Sequence, residues 1–278
     1  MLTTDVSDTV YLTQWKDRRA LSRGGSLVAV TLVSVALSVG VDRFVVAPGP
    51  LSVDPAEGLA LPAALVVGPV GAGGVALGHL LADVATGVAG PASVVGALGQ
   101  LVLGLVGYEL WKRFGSTPAG VTSRHDVGAF VLVAVVGTTV ASSVVGWGNV
   151  VLGEFPFFVA SLLWFPGWVL ATLVVGLPVL VVWPRYVDTH PVTAVETDTD
   201  RPARTSGSLV FASLAWYLGG TALSLGFYVL SLVPGGTFRS LGVGAVSTVF
   251  EEPVSSAVQV TFGAVLFVWL LVSYRRSR

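Results

Sequence analysis

Long apolar runs alternate along the chain with short polar breaks, and most of the runs have the length of a membrane-crossing helix. Eight can be marked off, at about 26–46, 59–70, 75–88, 91–111, 127–147, 155–182, 208–230 and 255–274. A helix of roughly 20 apolar residues covers the ~30 Å hydrocarbon core of a bilayer. The second and third runs are short, and between them stands Gly68-Pro-Val-Gly-Ala-Gly-Gly74. Pro69 and its neighbouring glycines break a continuous helix, so the pattern predicts two helices folded back on each other. The sixth run is interrupted by Pro166 and Pro178. The fold expected is all-α: a polytopic membrane helix bundle of eight spans.

The polar breaks also divide the chain. Residues 1–25 form a charged arm, 26–183 carry six spans, 184–207 form a polar linker, and 208–278 carry two further spans. The linker contains Val195-Glu-Thr-Asp-Thr-Asp-Arg201, the composition of a solvated segment without a core of its own.

Composition sharpens this picture. The chain is 53% hydrophobic and 11% charged, with a mean hydropathy of +0.82; soluble domains carry about 25% charged residues. The absence of cysteine excludes disulfides, thiol catalysis and thiolate metal sites. A net charge of −1 offers no basic surface for nucleic acid. No small-x-small cleavage site follows the first apolar run, so it is expected to be retained rather than removed as a signal peptide.

Basic residues give the orientation. With eight spans and a cytoplasmic N-terminus, thirteen of the fifteen lysines and arginines fall in inside segments, and only Arg43 and Arg239 fall outside. That bias follows the positive-inside rule. It predicts a multi-pass protein of the cell membrane with both termini in the cytoplasm, and membrane lipid as its surroundings.

The candidate chemistry lies in two places. The stretch Gly58–Trp111 holds twelve glycines together with His79, Asp83, Gln100 and Glu109. Glycine costs a helix about 1 kcal/mol relative to alanine, and a charged side chain at mid-bilayer about 2.5–3.5 kcal/mol. A plain anchor needs neither; helices that pack closely around something polar need both. The second half of the fifth run carries Thr138, Thr139, Ser142, Ser143, Trp147 and Asn149, and the sixth opens with Glu154, Ser161 and Trp164. In the expected orientation these groups gather towards the outside. Asp83, Gln100, Ser142, Trp147, Asn149, Ser161 and Trp164 are therefore the candidate ligand-binding residues for a small-molecule solute. The competing account is that the hydroxyls bond their own helix backbones and the tryptophans form an interfacial belt.

His79 and Asp83 stand four apart on one helix; ligand contact is expected of Asp83 and a structural role of His79. With no third ligand at metal-like spacing, no metal site is expected. In the first span, Ser34 and Ser38, and Ala36 and Gly40, repeat at the four-residue interval that permits close helix contact, within the chain or with a partner.

Catalysis has no visible basis, and the protein is not expected to be an enzyme. The chain lacks the His-Glu-x-x-His and Gly-x-Ser-x-Gly patterns. Glu251-Glu252 resembles the paired glutamates of CAAX-type intramembrane proteases, but Val254, Ser255 and Ser256 follow where that family places an arginine. No Gly-rich phosphate loop with lysine is present, so no nucleotide or other cofactor is expected.

The run Val67-Gly-Pro-Val-Gly-Ala-Gly-Gly-Val-Ala-Leu-Gly-His-Leu-Leu-Ala-Asp83, followed by Gly99-Gln100 and Gly104-x-x-Gly107, resembles the substrate-binding S components of energy-coupling-factor (ECF) vitamin transporters. Phe155-Pro-Phe-Phe and Gly176-Leu-Pro178 are similar to the last helix of that family. The resemblance covers about 26–183, a six-helix unit to which two C-terminal transmembrane helices are added. It implies capture of a vitamin-like micronutrient from outside. Delivery would use a transmembrane coupling subunit and a pair of ATPases, with Ser34, Ala36, Ser38 and Gly40 at the docking position. A second resemblance is carried by Pro55-Ala-Glu-Gly-Leu-Ala-Leu-Pro-Ala-Ala, similar to the helices of membrane-associated sensor (MASE-type) domains. It implies a sensory or scaffold protein, here without a cytoplasmic output domain.

Overall fold

Helix ends in this protein are set by residues that cannot continue a helix. Gly68 adopts φ +80°, ψ −168°, a conformation closed to other residues, and Pro69 then supplies the first residue of the next helix. The chain reverses there so sharply that a Cβ on Gly71 would lie 2.2 Å from the carbonyl oxygen of Ala63. The hairpin expected from the Gly-Pro pattern is present.

The computed structural model describes residues 24–40, 54–116, 120–187, 204–232 and 252–277. The N-terminal arm, most of the linker 184–207, and Arg43, Arg239 and Glu251 lie outside the described residues. Helix α1 spans Gly24–Gly40. A 3-10 turn, Glu57–Leu59, leads into α2 (Ala60–Val67), followed by α3 (Pro69–Thr86), α4 (Pro91–Phe114) and α5 (Arg124–Leu152). Helix α6 (Phe157–Ala171) passes through a π-helical turn, Thr172–Gly176, into α7 (Leu177–Val187); α8 (Arg204–Ser231) and α9 (Glu252–Ser277) complete the described chain. The fold is all-helical, with no strand among the described residues.

Among the described residues, five helices are long and apolar enough to cross a membrane: Pro91–Phe114, Arg124–Leu152, Phe157–Pro184, Gly207–Ser231 and Ser255–Arg275. Gly24–Gly40 and Glu57–Val67 are apolar but shorter. The break in the sixth run has a local cause. Pro178 brings no N–H to the helical ladder, and its ring crowds the carbonyl four residues back, at Val174. The chain widens into the π turn around that position.

Helix α5 is the central post, packed against α4, α6, α8 and α9. Its first turn is fixed by Asp126, whose carboxylate accepts from the backbone N–H groups of Ser116 (3.0 Å), Thr122 (3.2 Å) and Ser123 (2.9 Å). The hydroxyls of Ser116, Thr122 and Ser123 donate to the same carboxylate. Six donors on one side chain tie the α4–α5 connection to the helix N-terminus. Below this end, Trp111 meets Phe130 edge-on, with ring centroids 6.3 Å apart, inside a core that includes Leu61, Leu65, Leu103 and Leu110.

Helices α8 and α9 join the same bundle. Trp147 of α5 donates its indole N–H to the carbonyl of Val260 (3.0 Å) and stacks on Phe267 at 5.8 Å. Apolar side chains such as Leu81, Val131, Val174, Val182 and Leu218 are exposed, whereas Thr138, Thr139, Ser142 and Ser143 are buried. This inversion of the water-soluble pattern is compatible with a membrane-embedded protein.

Candidate functional site

The polar residues of α5 are turned into the bundle and satisfied within their own helix. Thr138 donates to the carbonyl of Ala134 (2.8 Å), Thr139 to Val135 (2.6 Å), Ser142 to Thr138 (2.7 Å) and Ser143 to Thr139 (2.8 Å). The Asn149 amide donates to the carbonyl of Val145 at 2.8 Å. Each bond closes a four-residue loop along the helix, the route by which hydroxyl and amide side chains are buried at little cost.

The other candidate residues lie apart from one another. Asp83 is 3.7 Å from His79 on α3, both side chains partly exposed, and His79 rests over Gly96 of α4. Gln100 is buried in α4 with its carbonyl oxygen unpartnered. Ser161 faces Thr221 of α8 at 3.4 Å, and Trp164 lies against Phe155, ring centroids 6.5 Å apart. In α1, Ser34 is buried, and a Cβ on Gly78 of α3 would lie 2.5 Å from its own Cβ; Ala36 is exposed, and Ser38 and Gly40 are partly buried. Ser34 therefore serves packing within the chain.

The cavity lies elsewhere, where α5 ends and α6 begins, against the last turns of α8 and the first turns of α9. Its volume is about 430 Å³, within the range of small-molecule sites (roughly 300–1,000 Å³). The α5–α6 loop contributes Glu154 and Phe155, α8 contributes Ser224, Phe227 and Tyr228, and α9 contributes Ser255 and Gln259. The chain leaves this rim at Leu232 and returns at Glu252, and the connection between them is outside the described residues.

Gly153, at φ +71°, turns the chain out of α5 and sets Glu154 at the rim. Ser224 accepts from the backbone N–H of Phe158 at 3.3 Å, fixing α8 against the start of α6. Tyr228 packs on Phe158 at 5.4 Å. Gln259 differs from the rest of the lining, since its carbonyl oxygen is buried with no hydrogen-bond partner. Leaving a buried acceptor unmade costs about 1–3 kcal/mol, so a shift of the lining that uncovered this oxygen would offer a ligand donor an acceptor with no competing bond.

Among the described residues, the site thus offers one carboxylate, a phenol, an amide and serine hydroxyls among aromatic rings. None of the seven candidate ligand residues lines it. Glu154 was visible as a polar group at the head of the sixth run. Gln259 was missed, and the signal that would have found it is a lone amide inside an otherwise apolar final span. Among the described residues, no three His, Asp or Glu stand together as a metal site would require. Comparison with protein-family models, with curated proteins and with solved structures found no match.

Proposed function

We propose that this chain is the membrane-embedded, substrate-binding subunit of an uptake transporter for a vitamin-like micronutrient, and that the cavity walled by α5, α6, α8 and α9 receives the solute. The observation that carries the reading is the unpartnered Gln259 carbonyl on the wall of a half-open cavity of about 430 Å³. Rings of Phe155, Phe227 and Tyr228 give the cavity an apolar body, and a few polar groups fix orientation, the composition of small-molecule sites in general. Glu154 is the one charged group among the described lining residues, so the solute class favoured is neutral or cationic.

The charge distribution supports the topology this role needs. Eight spans with both termini in the cytoplasm leave thirteen of fifteen basic residues inside the cell. In that orientation the cavity opens outward, as capture from outside demands. The ECF-like run from Val67 to Asp83 supports the same role, and the partners it implies are a coupling subunit and paired ATPases. The two C-terminal helices then belong to the site itself, since α8 and α9 form two of its walls.

Affinity purification of the full chain from its native membrane tests the reading. A transporter subunit brings down a coupling protein and ATPases, whereas recovery of signalling proteins without ATPases would support the sensor or scaffold reading instead.

A further inference from the structure

A second polar cluster lies far from the cavity. The Asp54 carboxylate accepts from the backbone N–H of Ala56 at 2.7 Å, and this turn starts the short helix at Glu57. The turn is buried in the bundle: Ala56 is 4% exposed, and Ala60 and Leu61 are fully buried. A Cβ on Gly58 would lie 2.3 Å from the carbonyl oxygen of Ala171, the last residue of α6 before the π turn. At 1.5 Å per residue, Ala171 is roughly 21 Å along from Phe157, in the middle of the apolar stretch Phe157–Pro184. The Glu57 carboxyl therefore stands at the depth where an ionisable group is most costly and most often functional.

Its surroundings narrow the role. The stretch 157–184 and helix α2, which pack around it, contain no Asp, Glu, Lys, Arg or His. Among the described residues, the charged group on the same turn as Glu57 is Asp54, of the same sign. The indole N–H of Trp168, on α6, is buried with no hydrogen-bond partner and lies near the Glu57 carboxyl. Four residues on, on the same helix face, the Thr172 hydroxyl is fully buried with no partner at all. Thr138, Thr139, Ser142, Ser143 and Ser213 all donate to the carbonyl four residues back. Thr172, at the start of the π turn packed on Glu57–Leu59, does not.

A solute has no room in so tight a contact. A hard cation requires several oxygen ligands, and the indole at the carboxyl is a donor. A proton needs neither space nor further ligands. We propose that Glu57 is a proton-binding site at the centre of the bundle, with Trp168 and Thr172 as its partners in both states. The ionised carboxylate accepts from the Trp168 N–H and the Thr172 O–H. When a proton from water adds to it, the new carboxylic O–H donates to the Thr172 oxygen, which can act as donor or acceptor. The partial exposure of Glu57 leaves the proton a way in. The inference does not rest on the solute reading.

The test uses the full chain in lipid nanodiscs, with infrared difference spectra and tryptophan emission recorded from acid to alkaline pH. The expected result is a carboxylic-acid carbonyl band that appears on acidification and is lost in Glu57→Gln, with an emission change of the same midpoint lost in Trp168→Phe. Asp54→Asn should shift that midpoint without removing the band. A band that persists in Glu57→Gln, or a wild-type protein with no such titration, overturns the proposal. Should Glu57→Gln fail to fold, a midpoint unmoved in Trp168→Phe overturns it equally. Solute retention unchanged in Glu57→Gln would leave the cavity reading standing beside this one.

Discussion

Replacing Gln259 with leucine should make the protein more stable and a poorer binder at once. The Gln259 carbonyl oxygen is buried and unpartnered, a state that costs about 1–3 kcal/mol. Leucine of similar length removes that acceptor and adds apolar contact with Phe262 and Trp216, which share a small void with Gln259. The fold should gain up to about 1–3 kcal/mol, and chains of comparable size gain roughly 2–4 °C in Tm per kcal/mol. The solute loses one hydrogen bond, worth about 0.5–1.5 kcal/mol, so its affinity should fall roughly two- to tenfold. Thermal unfolding in mild detergent and binding by retained-ligand mass spectrometry read the two effects from one sample. A variant that is less stable than wild type, with binding unchanged, would show that the amide serves the fold and not a ligand.

Further outcomes follow from the packing. Asp126→Asn places an N–H₂ where six donors converged on a carboxylate; it should destabilise by about 1.5–3 kcal/mol, read as a lowered unfolding midpoint, and a midpoint equal to wild type would dismiss the hub. Gly78→Ala drives a methyl group to 2.5 Å from the Ser34 Cβ and should cost about 1–3 kcal/mol. Gly128→Ala, with nothing within 4 Å, should gain about 1 kcal/mol from helix propensity. Equal effects in these two glycine variants, by the same unfolding assay, would refute the α1–α3 contact. Loss of solute in Asp83→Ala but not in Gln259→Leu would move the site to α3.

Much of the architecture was legible because it rests on local chemistry. Gly68-Pro69 announces the reversal between α2 and α3, and Pro178 announces the widened turn at Thr172–Gly176. The run beginning at Pro91 was read to Trp111 and extends to Phe114, because Lys112 can stay helical while reaching Glu109 at 2.8 Å. The site was less legible. A serine or threonine in an apolar helix looks the same in sequence whether it faces a ligand or the carbonyl four residues back, and Ser142 and Ser143 take the second course. Glu57 reads as part of a polar loop because Pro48, Pro50, Pro55 and Asp54 precede it, and only the contact between Gly58 and Ala171 carries it to the middle of the bundle. Likewise, nothing in the last two runs tells that their ends wall a cavity; that depends on Phe158 bonding Ser224 across sixty-six residues.

The most direct measurement is mass spectrometry of the small molecules carried by the full chain through gentle purification from its own membrane, with wild type and Gln259→Leu run side by side. The account predicts one neutral or cationic solute in near-stoichiometric amount on wild type and depleted on the variant. Lipid and detergent alone on both, or a solute held equally by both, would contradict it.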